Sequence, residues 1–278
     1  MENVRRWQFM EVVMLWDGEL TAKRICDYFG VSRTTAQKVI SDYQTKYPSN
    51  MSDYSPKQKA HTPSPQFMPH FTKGELSEYL SFFGGPSPLQ SLEIVAGLPH
   101  LELLPSPARN ERPELIQAII KACKQQYRLD IGYYSVSSGL NESRIISPHT
   151  LVFDGMRWHV RAYCERSRDF RDFVLSRFYQ EPVFEDAPAS YSQEDDKDWN
   201  KKVNLVIQPD PRLSQAQRTA VEMDYKMRNG QCSIPCRAAL VKYLLQKLRL
   251  DSYHHNPEGQ QIIVEPDCWQ IIAPYRLK

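Results

Sequence analysis

The chain has 278 residues, 41% of them hydrophobic and 24% charged, with a formal net charge of +2. Such a composition is ordinary for globular proteins and points to two or three domains. With no apolar run near about 18 residues and no signal-like start, a soluble cytoplasmic protein is expected. So small a net charge excludes any polyanion argument from totals, and nucleic-acid binding has to come from local clustering.

The six cysteines (Cys26, Cys123, Cys164, Cys232, Cys236 and Cys268) are scattered, as reduced thiols are. The spacing in "CSIPC" could hold a metal if His254 and His255 came close, but a second ligand pair is missing. No metal and no cofactor is expected.

The first helix carries Trp7, Met10, Val13, Met14 and Leu15 at helical spacing and ends at Asp17-Gly18. A second starts from Thr21 as N-cap, faces Ala22, Ile25, Cys26 and Phe29 inward, and stops at Gly30. Ser32 caps a third, with Ala36, Val39, Ile40 and Tyr43 inward. A helix, a Gly-containing turn and a helix opening on "SRTTAQK" make a helix-turn-helix. Its second helix would enter the major groove, where Arg reads guanine and Gln reads adenine. Ser32, Arg33, Thr34, Thr35, Gln37 and Lys38 lie on the outer side, and Thr21 joins them. A short ribbon, residues 51–54 and 58–62, forms a wing whose Lys57 and Lys59 suit phosphate contact. The alternative is a plain three-helix packing unit with Arg33 and Lys38 solvated.

Residues 63–113 are proline-rich. Helices are expected over "TKGELSEYLSFFGG" and part of "SPLQSLEIVAGLPHL". "PELIQAIIKACKQQY" is amphipathic, with Leu115, Ile116, Ile119, Ile120 and Cys123 inward.

Four short strands follow, in "YRLDIGYYSVSSG", "NESRIISPHTLVFDG", "MRWHVRAYCE" and "DFRDFVLSRFYQ". So many antiparallel strands in about sixty residues fit a small bent barrel. Alternation puts Met156, Trp158, Val160, Ala162 and Cys164 on one face of the third, and Arg157, His159, Arg161 and Tyr163 on the other. A guanidinium beside an aromatic ring can stack on a base and fork onto phosphate. Arg161, Arg171 and Arg177 are read as a binding face. Arg157, Arg166 and Arg168 are read as surface groups paired with Asp169, Asp172, Glu165 or Glu142.

The order "IGYYS … SRIISPHTL … RWHVRAY … FRDFVLSRF" resembles the WYL domain of bacterial transcription regulators, an Sm/SH3-like barrel. The namesake tripeptide stands here as Trp158-His159-Val160, with histidine in the place of the family's tyrosine, and Arg177 falls where such domains carry an arginine. The layout is similar to repressors encoded beside anti-phage defence systems. That resemblance implies a homodimer on a palindromic operator, repressing a defence operon. It also implies a sensing domain that takes an anionic effector, a nucleotide or single-stranded nucleic acid, and releases DNA. The ligand face it implies is Tyr133, Ser135, Arg144, His149, His159, Arg161, Arg171 and Arg177. His149 reads equally well as a structural histidine.

Beyond an acidic stretch read as a linker, a β-α-β-α-β order suggests a compact α+β unit resembling the extension that follows WYL domains. Its Leu240, Tyr243, Leu244 and Leu248 are read as core or dimer contact.

The expected whole is multi-domain α+β. Residues 1–70 are read as a winged helix-turn-helix, 71–125 as a helical connector, 126–185 as the WYL barrel and 200–278 as the C-terminal unit. A phosphate-handling enzyme is the weaker alternative, lacking a carboxylate cluster, HExxH, P-loop or GxSxG. A non-specific nucleic-acid adaptor is the other alternative.

Overall fold

The computed structural model describes residues 2–57, 59–74, 78, 79, 82, 109, 110 and 112–276. The chain divides into two compact units, Met1–Lys121 and Ala122–Lys278. The helix expected over 87–101 and most of that over 72–85 lie outside the described residues.

In the first unit, α1 (Glu2–Asp17) buries Phe9, Met10, Val12, Val13, Met14 and Trp16. It is covered on more than one side, and each such side chain contributes about 1.5–3 kcal/mol by leaving water. Its end turns at Gly18, whose φ of 76° favours glycine. In α2 (Ala22–Phe29) the Thr21 side chain accepts the Arg24 N–H, and Gly30 closes the helix in the left-handed conformation. Of the expected inward face only Ile25 is fully buried. Ser32 caps α3 (Arg33–Lys46), which buries Ala36, Val39, Ile40 and Tyr43 as its spacing requires.

The wing is present as an antiparallel ribbon. Ser52 N–H donates to Thr62 O and Ser55 N–H to Ala60 O, while Leu20 and His61 exchange both backbone bonds. The segment beyond it is tied down by Glu11, fully buried on α1. That carboxylate accepts the N–H groups of His70, Phe71 and Thr72 and the Tyr43 hydroxyl. A buried charge needs such a set of donors. α4 (Pro113–Gln125) buries Leu115, Ile116, Ile119, Ile120 and Ala122, and its Gln117 donates to Leu15 O on α1.

The second unit contains two sheets. β1 (Tyr127–Tyr134), β2 (Asn141–Phe153), β3 (Trp158–Cys164), β4 (Asp169–Val174) and β5 (Val183–Pro188) form one antiparallel sheet in the order β4-β3-β2-β1-β5. No ladder among the described residues joins β4 to β5, so the expected closed barrel is an open, bulged sheet here. The 3-10 turn Leu175–Arg177 lifts the chain off β4, and it returns to β1 through a single bridge, Tyr133↔Phe178. At the crossing a Cβ on Gly132 would come within 2.6 Å of Tyr179 and Gln180, so only glycine lets the segment pass.

Two further expectations are corrected. β3 is buried at all seven positions, not on alternate ones, because residues 190–199 cover Arg161 and Tyr163 on the side assigned to arginines and Tyr243 covers His159. Ser190 N–H donates to Ser147 Oγ, Tyr191 packs on Tyr163, and Trp199 packs on His149. That covering segment is the stretch read as a linker. It holds β5's last residues, a Ser192/Asp195 capping box and α5 (Lys197–Asn200), capped by Asp196.

β6 (Lys202–Pro209), α6 (Gln215–Asp224), β7 (Cys232–Arg237), α7 (Val241–Lys247), α8 (Pro257–Gln260), β8 (Ile262–Val264) and α9 (Pro266–Ile272) complete the unit. The sheet order is β7-β6-β8, and Leu205, Ile207, Val241, Leu245, Ile262 and Ile272 form its core. On α7 the fully buried positions are Val241 and Leu245, while Leu244 and Leu248 of the expected stripe pack, partly buried, against the same core. No described helix is long and apolar enough to cross a membrane.

Candidate nucleic-acid interface and anion cavity

The first unit presents an exposed polar helix start. Ser32, Arg33, Thr34, Gln37 and Lys38 are exposed and Thr35 is half-buried, while the residues between them anchor α3. Ser32 Oγ accepts the Thr35 N–H and shares a 2.9 Å bond with its hydroxyl, so both groups are engaged in starting the helix. Thr21 is likewise a cap. A concavity of 880 Å³ gathers Thr21, Arg33 and Gln37 with Lys59 of the wing, beside Lys23, Gln44, Tyr54 and His61. Lys57 is exposed on the same ribbon but does not line this hollow. Ser32, Thr34, Thr35 and Lys38 do not line it either. Among the described residues Arg33 has no carboxylate partner. Its guanidinium is available to a base edge or a phosphate.

The second unit holds a cavity of 710 Å³ on the sheet. β1 and its loop supply Tyr133 and Ser135, β2 supplies Glu142 and Arg144, and β3 supplies His159. The loops flanking β3 bring Arg157 and Arg166, β4 brings Arg171 and Asp172, and the 3-10 turn brings Arg177. α7 closes the wall with Lys242, Tyr243 and Gln246. Six cationic side chains against two carboxylates, Glu142 and Asp172, make the lining suit an anion.

Part of that charge is answered locally. Arg144 and Arg166 both approach Glu142, Arg157 lies 3.7 Å from Asp154, and Arg171 lies 3.5 Å from Asp169. Arg177 and Lys242 have no ion-pair partner among the described residues. Tyr133 is buried edge-on to Phe173 and Phe178, and its hydroxyl accepts the Val174 N–H, so it is a floor and not an open stacking platform.

Six of the eight residues expected on the ligand face therefore meet in one cavity: Tyr133, Ser135, Arg144, His159, Arg171 and Arg177. Arg161 and His149 do not line it. Arg161, 5% exposed, reaches Asp196 with Nε at 2.7 Å and Nη2 at 3.2 Å, and touches Asp172 with Nη1 at 3.5 Å. His149 Nε2 lies 3.3 Å from the same Asp196, whose other oxygen accepts the Trp199 N–H. Burial alone would raise the Asp196 carboxyl, but bonds from His149 and Arg161 and the Arg161 charge outweigh it and hold it well below the usual range. Arg157 and Arg166, assigned above to surface pairing, do line the cavity while keeping such pairs.

His159 is 2% exposed, with Nε2 2.8 Å from Asp154 Oδ2 and its ring 4.7 Å from that of Tyr243. Among the described residues its Nδ1 has no hydrogen-bond partner. Burial holds this imidazole below its ordinary value, only partly offset by Asp154. Tyr243 Oη donates to Asp172 Oδ2 at 3.0 Å.

Asp196 and Lys242 went unseen in the sequence, and Tyr243 was read only as core or dimer contact. The capping pattern of Ser192 with Asp195 and Asp196 before Trp199 was a usable sign that the acidic stretch is folded. No local sign places α7 against the cavity.

Comparison with known proteins gives matches along most of the chain. Residues 2–85 match the BrxR transcriptional regulator winged helix-turn-helix domain, residues 114–181 the WYL domain, and residues 202–267 the BrxR transcriptional regulator C-terminal dimerization domain. The DNA-binding transcriptional repressor CapW of Pseudomonas aeruginosa is 31% identical over 279 residues, covering 94% of this chain and 88% of the relative. CapW of Escherichia coli strain KTE188 and of Stenotrophomonas maltophilia are each 30% identical at the same coverage. A solved structure, proteasome accessory factor B/C of Arthrobacter aurescens, aligns with 15% identity and a TM-score of 0.28, covering 99% of this chain and 48% of that one. The chain thus spans about half that protein's length.

Proposed function

The chain belongs to the family of the DNA-binding transcriptional repressor CapW, and from that premise we propose that it is a homodimeric, sequence-specific repressor whose sheet cavity senses a phosphate-bearing effector. The relatives' names imply a regulator and not an enzyme. The observation that carries the proposal is the presence, in one chain, of two cationic concavities, one on α3 and the wing, one on the sheet.

In this reading Arg33 and Gln37 read base edges, Thr34, Thr35 and Lys38 with the wing's Lys57 and Lys59 hold phosphates, and Thr21 and Ser32 fix the helix starts. Two copies place two reading helices on half-sites about 34 Å apart, or a multiple of that, so the operator is palindromic. Residues 200–278 supply the dimer contact, a reading supported by the match of 202–267 to a dimerization domain. Residues 1–70, 71–125 and 126–185 act as reading head, connector and sensor. The sensor is an Sm/SH3-like fold whose open sheet is met by the returning chain at the Tyr133↔Phe178 bridge.

The effector is a nucleotide or short single strand. It releases DNA because it binds the DNA-incompetent shape more tightly, the condition any such switch has to meet. The regulated genes are an anti-phage defence operon, a step that rests on the resemblance in layout. A gel shift on the upstream region of its own operon tests the core of this. A retarded band at low salt is expected, with footprinting protecting a palindrome within it, and no shift there would overturn the reading.

A further inference from the structure

α7 is a two-faced helix. Val241 and Leu245 are fixed in the core of the C-terminal sheet, while Lys242, Tyr243 and Gln246 point to the cavity on the other sheet. Positions 242 and 246 are four apart and so stand one above the other. The face is held to the sensor by Tyr243, which donates to Asp172 and packs on His159.

We propose that this helix supplies part of the effector site: Lys242 and Gln246 contact a multi-phosphate anion that Arg177 holds from the opposite module, so the site is incomplete without the C-terminal unit. The proposal rests on reading the cavity as an anion site and deepens it. Three observations support it. Lys242 lines the same hollow as Arg177, and neither has an ion-pair partner among the described residues. The Tyr243 hydroxyl on Asp172 ties α7 to the cavity wall beside Lys242. The lining carries more cations than one phosphate would need, which favours an anion long enough to reach both modules. Tyr243 is a positioning residue: its bond to Asp172 sets where Lys242 stands and leaves that carboxylate, shared with Arg161, already satisfied.

Bridging matters for regulation. An anion held by the sheet alone would report nothing to α7. One held by both changes the relation between sensor and C-terminal unit, which is the differential contact a switch requires.

The test uses the full chain and fluorescence anisotropy with a labelled tetrathymidylate, followed by competition with ATP. Lys242→Ala should weaken binding roughly fivefold to tenfold, as loss of one charge-assisted contact does. It should also flatten the salt dependence by about 0.7 in log–log slope, which a packing defect would not do. Lys242→Arg should restore both. Lys247→Ala, a charge-matched change on the same helix that does not line the cavity, should leave both unaltered. Competition by ATP would identify a free nucleotide as the preferred source, and its absence a strand. If Arg177→Ala weakens the probe while Lys242→Ala binds like wild type, the bridging proposal is overturned and the cavity reading survives. If wild type binds neither tetrathymidylate nor ATP, both fail together.

Discussion

Arg161 is forked on Asp196 across 35 positions of chain, Nε to Oδ2 at 2.7 Å and Nη2 to Oδ1 at 3.2 Å, and both groups are buried. An arginine so placed is a structural bolt and not a free ligand contact. It joins β3 to the start of α5 and leaves only Nη1 reaching towards Asp172 on the cavity wall.

Removing one end of that bolt leaves a buried charge without its partner. Asp196→Ala should therefore lower unfolding stability by about 3–5 kcal/mol. It also strips an acceptor from His149 and the cap from α5. Urea denaturation followed by tryptophan fluorescence checks it, with Trp199 as a local reporter. A variant as stable as wild type would show that Arg161 is solvated.

Acid should weaken the second unit in two steps. His159 titrates below its ordinary value in the fold, so the unfolded chain takes up a proton that the buried ring refuses. Stability is thus lost as pH falls from about 6.5 towards that lower folded value. The charges facing this ring are Asp154, Asp172 and Arg157, with Tyr243 packed on it. Asp196 and Asp154 also titrate below the usual carboxylate range. Their contribution is complete above about 3.9 and is lost as pH falls further through their folded values. Denaturation midpoints measured against pH should show both limbs, and His159→Asn should remove the upper one. An upper limb unchanged in that variant would assign it to another group.

The face of α3 should separate reading from folding. Arg33→Ala is expected to cost about 1–3 kcal/mol of operator affinity and to relax specificity at one base pair. Lys59→Ala should weaken all sequences alike and flatten the salt dependence by about one unit of slope. Neither should shift the thermal midpoint, because both side chains are exposed. Equal loss on operator and random duplex for Arg33→Ala would make it a phosphate contact.

The helical face of α3 was legible because it needs only local spacing: Ala36, Val39, Ile40 and Tyr43 repeat at the helix period and are buried accordingly. β3 was not. Alternation assumes one wet face, and Arg161 is drawn inward by a carboxylate far along the chain. The stretch from Glu185 to Lys202 looked like a linker from its charges, yet Asp196 and Trp199 are buried and pin it to the sheet. Arg144, Arg171 and Arg177 line one cavity because strand order brings β2, β4 and the 3-10 turn to one side. Lys242, Tyr243 and Gln246 come from another module, and no periodicity within α7 tells which surface it meets.

The central claim is that an anion in the sheet cavity alters the grip of the reading head on DNA. Operator affinity should be measured by anisotropy for wild type and Arg177→Ala, each with and without tetrathymidylate. Wild type should bind the operator more weakly when the oligonucleotide is present, and by linkage the operator should weaken oligonucleotide binding by the same factor. Arg177→Ala should bind the operator as wild type does and ignore the oligonucleotide. A wild-type operator affinity that does not move at saturating oligonucleotide, or an Arg177→Ala protein that responds as fully as wild type, would contradict the account.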